Sequence, residues 1–191
     1  MKERDGVVVV PDFMSADTVA LYTEEINRLP RHDREEHMCD KYVQMGESTV
    51  LSPLLDALRD SVKKFIEDYY SCSVGNEQIG SLVVACPGWD LELHADAHED
   101  EDTKSVGTFS GYASRDISTV LYCNNHGSDF TGGEFSMPNQ DLRILPKAGL
   151  LVAFPSGDKY MHQVTKVQSG ERLFVSTFWH VLERFDSTRY V

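Results

Sequence analysis

The sequence holds no CxxC pair, no apolar run long enough to cross a membrane, no internal repeat and no low-complexity tract, and it is short of positive charge. Each shortage excludes something. The four cysteines, Cys39, Cys72, Cys86 and Cys123, are scattered, a pattern that fits neither a zinc knuckle nor a disulfide framework and predicts reduced thiols. The opening MKERDGVVVVPDF sets charges before only four valines and a proline. That is too brief an apolar stretch for a signal peptide or a span, so a cytoplasmic chain with no membrane partner is expected. With 18 basic residues against 31 acidic ones the formal charge is −13, which repels nucleic acid and anionic lipid and leaves a peptide, protein or small molecule as the expected partner. A length of 191 residues suits one domain, 1–191, with little room for a second.

What is present shows as a change of hydrophobic period along the chain. In SADTVALYTEEINRLP, Ser15 can cap a helix, Asp17 suits its first turn, and Val19, Tyr22, Ile26 and Leu29 recur three and four residues apart. In SPLLDALRDSVKKFIEDYY, Ser52 is the expected cap, Pro53 the first helical residue, and Leu55, Leu58, Val62, Phe65, Ile66 and Tyr69 one stripe. Between them PRHDREEHMCDKY reads as a polar loop. From residue 79 the spacing shortens to that of strands: IGSLVVAC, LELHA, ISTVLYC, GEFSM, LRIL, GLLVAF, HQVTKV and RLFVSTFWHV. Eight short strands behind two helices predict an all-β core with helical support, a jelly roll, with 1–78 mostly helical and 79–182 the core. The longest insertion, AHEDEDTKSVGTFSGYASRD over 97–116, is acidic and then rich in Gly and Ser, and reads as a mobile loop or lid.

Chemistry enters at HADAHED, residues 94 to 100, which contains two overlapping HxD phrases. His94 ends an apolar, alternating run, so a strand can aim it, and Asp96 can project to the same side. His98 and Asp100 fall among Glu99, Glu101 and Asp102, where the apolar anchoring is gone, and His98 is read as a loop residue. An HxD on so acidic a chain is weak alone. Near the C-terminus, His162 opens a strand after a turn rich in Pro, Gly and Asp, and Arg172 opens the next after SGE. With His94 and Asp96, His162 completes a two-histidine, one-carboxylate set, which takes one face of an Fe(II) ion and leaves positions open. Arg172 can offer its forked guanidinium to a carboxylate beside the metal, and Tyr122, in STVLYCNN, can add a phenol donor.

The ordered phrases HAD, ISTVLYCN, FTGGEF, LPKAGLLVAFPS and HQVTKVQSGER, from about residue 79 to 180, resemble the iron- and 2-oxoglutarate-dependent dioxygenases, in their prolyl 4-hydroxylase-like branch. The resemblance implies a double-stranded β-helix whose metal ligands match His94, Asp96 and His162, whose basic residue for 2-oxoglutarate matches Arg172, and whose tyrosine matches Tyr122. It implies Fe(II), 2-oxoglutarate and dioxygen as cofactors, with ascorbate as an optional reductant, and hydroxylation of a C–H bond, first of all on a prolyl residue. It also implies that the strands of His162 and Arg172 lie in opposite sheets and face one cavity.

The chain departs from the family in two places. VVACPGW lacks a tyrosine that many relatives carry near its cysteine. Where many relatives have a tryptophan six positions past the basic residue, Phe178 stands here, with Trp179 next. Strand alternation puts Arg172, Phe174, Ser176 and Phe178 on one face and turns Trp179 away. Lysyl hydroxylases share the same phrases, so a lysyl residue, a free amino acid or another small molecule is the alternative substrate, and the acidic insertion suits a cationic peptide. A cupin-like metal enzyme would show clustered histidines with a later glutamate. A noncatalytic jelly-roll binding module would need neither a full ligand set nor the arginine.

Overall fold

Side chains on a strand alternate between its two faces, and here that alternation gives one sheet two unlike surfaces. The structure, a computed structural model, describes residues 1–28, 51–75, 81–97 and 115–184. Leu29, the polar stretch between the helices, Cys39, the His98 and Asp100 pair and nearly all of the acidic insertion lie outside those residues.

The larger sheet has the order β1 (Lys2–Arg4), β2 (Val7–Val10), β10 (Leu151–Pro155), β6 (Ile117–Tyr122), β13 (Arg172–Arg184), β3 (Cys72–Gly75), with β4 (Ser81–Ala85) also paired to β13. The smaller sheet runs β5 (Leu91–His94), β11 (His162–Val164), β8 (Phe135–Met137), β9 (Leu142–Ile144), and β7 (Phe130–Gly132) and β12 (Val167–Gly170) form a two-stranded ribbon. These ladders are all antiparallel. This is the expected double-stranded β-helix.

The helices cover one face of the larger sheet. α1 (Ala16–Arg28) begins at Ser15, whose hydroxyl accepts the Thr18 N–H at 3.2 Å as the cap residue should. α2 is Leu51–Tyr70, so Ser52 lies within the helix rather than ahead of it. The stripe of α2, Leu55, Leu58, Val62 and Ile66, packs with Val19 and Tyr22 of α1 against Ile117 and Leu121 of β6, Leu151 and Ala153 of β10, and Leu173, Val175 and Trp179 of β13. Each such side chain taken from water contributes about 1.5–3 kcal/mol. The Tyr22 hydroxyl donates to the Leu54 carbonyl and ties the helices together. On the other face Tyr122, Val152, Phe154 and Phe174 meet Phe135, Met137, Ile144 and Val164 from the smaller sheet, which makes a second core between the sheets.

Strand content exceeds the expectation at the N-terminal end, where β1, β2 and β3 come from the stretch read as mostly helical. The four valines of β2 are buried alternately, Val8 in the helix-side core and Val7 between the sheets, so a strand covered on both faces leaves no alternating pattern in sequence. HQVTKV, read as one strand, divides into β11 and β12. Its middle residues bond to the turn before β8 instead: Thr165 N–H to the Glu134 carbonyl at 3.0 Å, and the Lys166 carbonyl to Gly133 N–H at 3.2 Å.

Candidate active site

His94 ends β5 and His162 opens β11, and the register of the two strands sets them directly opposite each other, with ring centroids 4.3 Å apart. In both, Nδ1–H donates to the carbonyl two residues back, to Glu92 at 2.7 Å and to Tyr160 at 3.1 Å. Those bonds fix the tautomer and leave each Nε2 lone pair free to act as a ligand. The two lone pairs meet at Asp96, in the bend after β5, with His94 Nε2 3.7 Å from Oδ1 and His162 Nε2 3.6 Å from Oδ2. Such separations are too long for hydrogen bonds. They fall inside the roughly 4 Å that two donors, each about 2 Å from one ion, can span. The three ligand atoms lie within 4.8 Å of one another.

Electrostatics agrees with a ligand set. Burial, which disfavours an imidazolium, holds the His162 pKa below its ordinary value and outweighs the pull of Asp96. At His94 burial acts the same way, but the Asp96 carboxylate and the Glu92 carbonyl prevail and raise the pKa. Burial would raise the Asp96 pKa, yet His94, His162 and the Ser118 hydroxyl together hold it low. The aspartate is therefore ionised among imidazoles. Phe135 and Phe154 flank the His162 ring, at centroid distances of 5.4 and 4.9 Å, and set its plane.

Arg172 opens β13 on the cavity face of the larger sheet, across from His162 in the smaller one, and is 1% exposed. Nη2 donates to Tyr122 Oη at 3.4 Å, whereas Nε and Nη1 are buried with no hydrogen-bond partner among the described residues. Burial pushes its pKa down and Tyr122 opposes this, but a guanidinium stays charged. Three rings surround the cation, Phe174 at 4.3 Å, Tyr122 at 5.1 Å and Trp89 at 5.7 Å from guanidinium carbon to ring centre. A buried cation with unused donors is an anion receptor, because the donors stay unsatisfied until an acceptor arrives.

Local sequence explains the placement. In FTGGEF, a Cβ on Gly132 would sit 2.0 Å from the Lys166 carbonyl oxygen, and one on Gly133 would sit 2.9 Å from Cδ of Arg172. Both residues hold positive φ, so the turn needs glycine for its backbone and for the space it leaves to Arg172. Asn124 brackets the arginine, its Nδ2 donating to the Glu171 carbonyl at 2.7 Å and its Oδ1 accepting Leu173 N–H at 3.0 Å. One cavity of about 230 Å³ contains His94, Asp96, His162 and Arg172 in its wall, with Trp89, Leu91, Val120, Phe135, Val164, Phe174, Ser176 and Phe178 among the rest. Thus Phe174, Ser176 and Phe178 share the arginine's face as expected, while Trp179 is fully buried on the other side.

The model of the 2OG-Fe(II) oxygenase superfamily matches residues 83–180, more than half of the chain. The chain belongs to this family. As an oxygenase of this kind it works with Fe(II), 2-oxoglutarate and dioxygen, and the donor set and the unsatisfied Arg172 fit the first two. It is similar to prolyl 3-hydroxylase 2 of Gallus gallus, 39% identical over 77 residues, which are 38% of this chain and 10% of that protein. The oxygenase therefore spans about a tenth of the length of that relative. Among solved structures it resembles the viral collagen prolyl hydroxylase of Paramecium Bursaria Chlorella virus-1, with TM-score 0.65 and 15% identity over 95% of this chain and 97% of the other. It also resembles a Trichoplax adhaerens prolyl hydroxylase in complex with a hypoxia inducible factor peptide, with TM-score 0.68 and 13% identity over 97% and 86%. These two likenesses concern the fold.

Reading the sequence missed Trp89, Asn124 and Ser118 as parts of the oxygenase site. The YCN phrase carried the signal for Asn124, since a polar side chain at the end of an apolar strand needs a partner. Trp89 stood in the departing phrase CPGW. No helix among the described residues is long and apolar enough to cross a membrane.

Proposed function

We propose that this oxygenase hydroxylates a C–H bond of a prolyl residue in a peptide or protein, with His94, Asp96 and His162 holding Fe(II) and Arg172 and Tyr122 holding the far carboxylate of 2-oxoglutarate. The observation that carries the reading is the unsatisfied Arg172 guanidinium in the same apolar cavity as three converging ligand atoms. Bound iron, 2-oxoglutarate and dioxygen supply an oxidant able to take hydrogen from an aliphatic carbon, with succinate and carbon dioxide as co-products. The protein's own part is placement. The imidazoles of His94 and His162 and the carboxylate of Asp96 would hold the ion, which would supply the oxidising chemistry. Arg172 donates to the cosubstrate through its free N–H groups, and Tyr122, whose oxygen already accepts from Arg172, keeps its proton to donate. Val83, Leu91, Val120, Phe135 and Val164 keep the cavity dry.

The prolyl assignment is supported by the relative, a prolyl 3-hydroxylase, and by the cavity wall. Among the described residues of that wall the only carboxylate is Asp96, so a lysyl ammonium would find no counter-charge beyond a metal ligand. The apolar Leu91, Trp89 and Phe178 suit a pyrrolidine ring instead. The helices and the β-helix act as one catalytic unit, since a single core runs from α1 and α2 into the sheet.

The test has two stages. Anaerobic Fe(II) followed by 2-oxoglutarate gives a weak visible charge-transfer band in wild type and in His98→Ala, and none in His94→Ala. Proline-containing, lysine-containing and proline-free peptides, with free amino acids, are then incubated aerobically, and mass spectrometry finds one added oxygen on proline and reports which ring carbon carries it. Absence of the band in wild type rejects the site, and oxygen on lysine or on a free amino acid rejects the substrate.

A further inference from the structure

Arg172 is the first residue of β13, and the ladder with β6 stops short of it: the last register pair is Phe174 with Tyr122, after which Cys123 N–H donates to the Leu173 carbonyl at 2.9 Å. A side chain then takes over. Asn124, 8% exposed, accepts Leu173 N–H through Oδ1 at 3.0 Å and donates to the Glu171 carbonyl through Nδ2 at 2.7 Å. A carboxamide carries the same kinds of acceptor and donor as a peptide group, so Asn124 adds one more rung beside β13. The Glu171 carbonyl belongs to the peptide plane before the Arg172 Cα, and Leu173 N–H to the plane after it. Holding both planes fixes the two soft backbone torsions of Arg172 and hence the direction of its Cα–Cβ bond. On the other side of the strand β4 sets Ala85 opposite Arg172. The anchor is itself held, because Asn125 N–H donates to Asp129 Oδ2 at 2.7 Å and Asn125 Oδ1 accepts Ala148 N–H at 3.1 Å. Gly170, two residues before Arg172, lies so close to the same turn that a Cβ there would sit 2.1 Å from the Asp129 carbonyl oxygen.

We propose that Asn124 is a positioning residue that aims the Arg172 guanidinium at the far carboxylate of the cosubstrate, and that it thereby sets the preference for a keto acid with a second carboxylate over one without. The proposal rests on the reading of Arg172 given under Proposed function. Among the described residues the guanidinium has one hydrogen bond, at 3.4 Å to Tyr122, so its aim depends on where the backbone launches the side chain. A carboxylate rewards that aim because two parallel N–H donors must meet its two oxygens.

Two keto acids are the probes: 2-oxoglutarate, and 2-oxobutyrate, which has the same chelating end and lacks the far carboxylate. Each is titrated anaerobically into the Fe(II)-loaded protein by the visible charge-transfer band, in wild type, Asn124→Ala, Asn124→Asp, Arg172→Met and the double variant Asn124→Ala with Arg172→Met. Metal-free melting temperatures serve as the folding control. Wild type prefers 2-oxoglutarate by roughly 30-fold or more, the lower end of what a buried charge pair contributes. Asn124→Ala lowers that preference about tenfold, the size of one hydrogen bond to a charged group, and leaves 2-oxobutyrate affinity within about twofold. Asn124→Asp keeps the shape and the acceptor for Leu173 N–H but sets an oxygen against the Glu171 carbonyl, and it lowers the preference too. In the Arg172→Met background Asn124→Ala changes nothing further, because Asn124 acts only through Arg172. An unchanged preference in both Asn124 variants, equal weakening of both keto acids, or a further loss in the double variant each overturns the positioning role while leaving Arg172 as the receptor. A wild type that binds the two keto acids equally overturns the reading of Arg172, and the role of Asn124 with it.

Discussion

The two faces of the larger sheet are built by the same strands and obey opposite rules. On the helix side the polar atoms of the sheet pair with one another: Trp179 Nε1 donates to Thr119 Oγ1 at 3.0 Å, and Thr119 in turn donates to the Thr177 carbonyl. On the cavity side, one residue out of phase along β13, Arg172 is as deeply buried and keeps two nitrogens, Nε and Nη1, with no hydrogen-bond partner among the described residues. Unsatisfied buried donors cost free energy, so a fold keeps them where a ligand completes them. Period-two alternation thus separates a surface that stabilises from a surface that binds.

Substitutions on the two faces should separate stability from function, and the widest separation comes at the metal. Asp96→Ala removes the one anionic member of the proposed ligand set; Co(II) affinity falls by more than about 100-fold, beyond the range that outer partners reach, and turnover is lost, as a metal titration and a succinate assay would show. Arg172→Met follows. It leaves metal binding intact and weakens 2-oxoglutarate by about 2–5 kcal/mol, roughly 30- to 5,000-fold, because a charge pair is cut in a buried site. Metal-free, the same variant melts no lower than wild type, since the orphaned donors leave with the guanidinium. A drop in melting temperature would show that Arg172 also stabilises the fold.

Ile66→Ala, at the C-terminal end of the α2 stripe and fully buried, makes the opposite case. Its cavity costs about 2–5 kcal/mol of stability by denaturant titration, while Co(II) affinity stays within about twofold because the site is distant and shares no partner with it. Loss of metal affinity in step with stability would mean that the helix-side core shapes the site more directly than the alternation suggests.

The two faces also differed in how they could be read. The helix side was legible because a stripe repeats every three or four residues in α2, and the cavity side because side chains of distinctive chemistry stand at strand ends, His94 closing β5 and His162 opening β11. Within HADAHED, apolar anchoring pointed to His94 and Asp96, which converge with His162, while His98 and Asp100 lie outside the described residues. What stayed hidden depends on contacts between residues far apart in sequence. Nothing near Ser118 announces Ser156, 38 residues on. Nothing near Asn124 announces the backbone on both sides of Arg172. The strand β2 was hidden for another reason: buried on both faces, it offers no period to detect.

Trp89 offers the mildest test of the contrast, and one that uses no functional loss. The chain has two tryptophans, one for each face. Trp179 is sealed among helix-side residues, whereas Trp89 lines the cavity, tied by its carbonyl to Val167 N–H at 2.8 Å, with its ring 5.7 Å from the Arg172 guanidinium and 6.0 Å from Phe174. An anion that neutralises Arg172 changes the field on Trp89 and not on Trp179. Adding 2-oxoglutarate to the metal-loaded, oxygen-free protein should therefore shift or quench tryptophan emission modestly. Trp89→Phe should abolish that response and weaken 2-oxoglutarate by a few-fold, as expected for one ring contact worth about 0.5–1 kcal/mol. Trp179→Phe should keep the optical response and lower stability instead, by about 1–3 kcal/mol for the buried partner it leaves unpaired. If emission follows 2-oxoglutarate equally in both variants, the cosubstrate is felt through the sheet, and the two faces are coupled rather than separate.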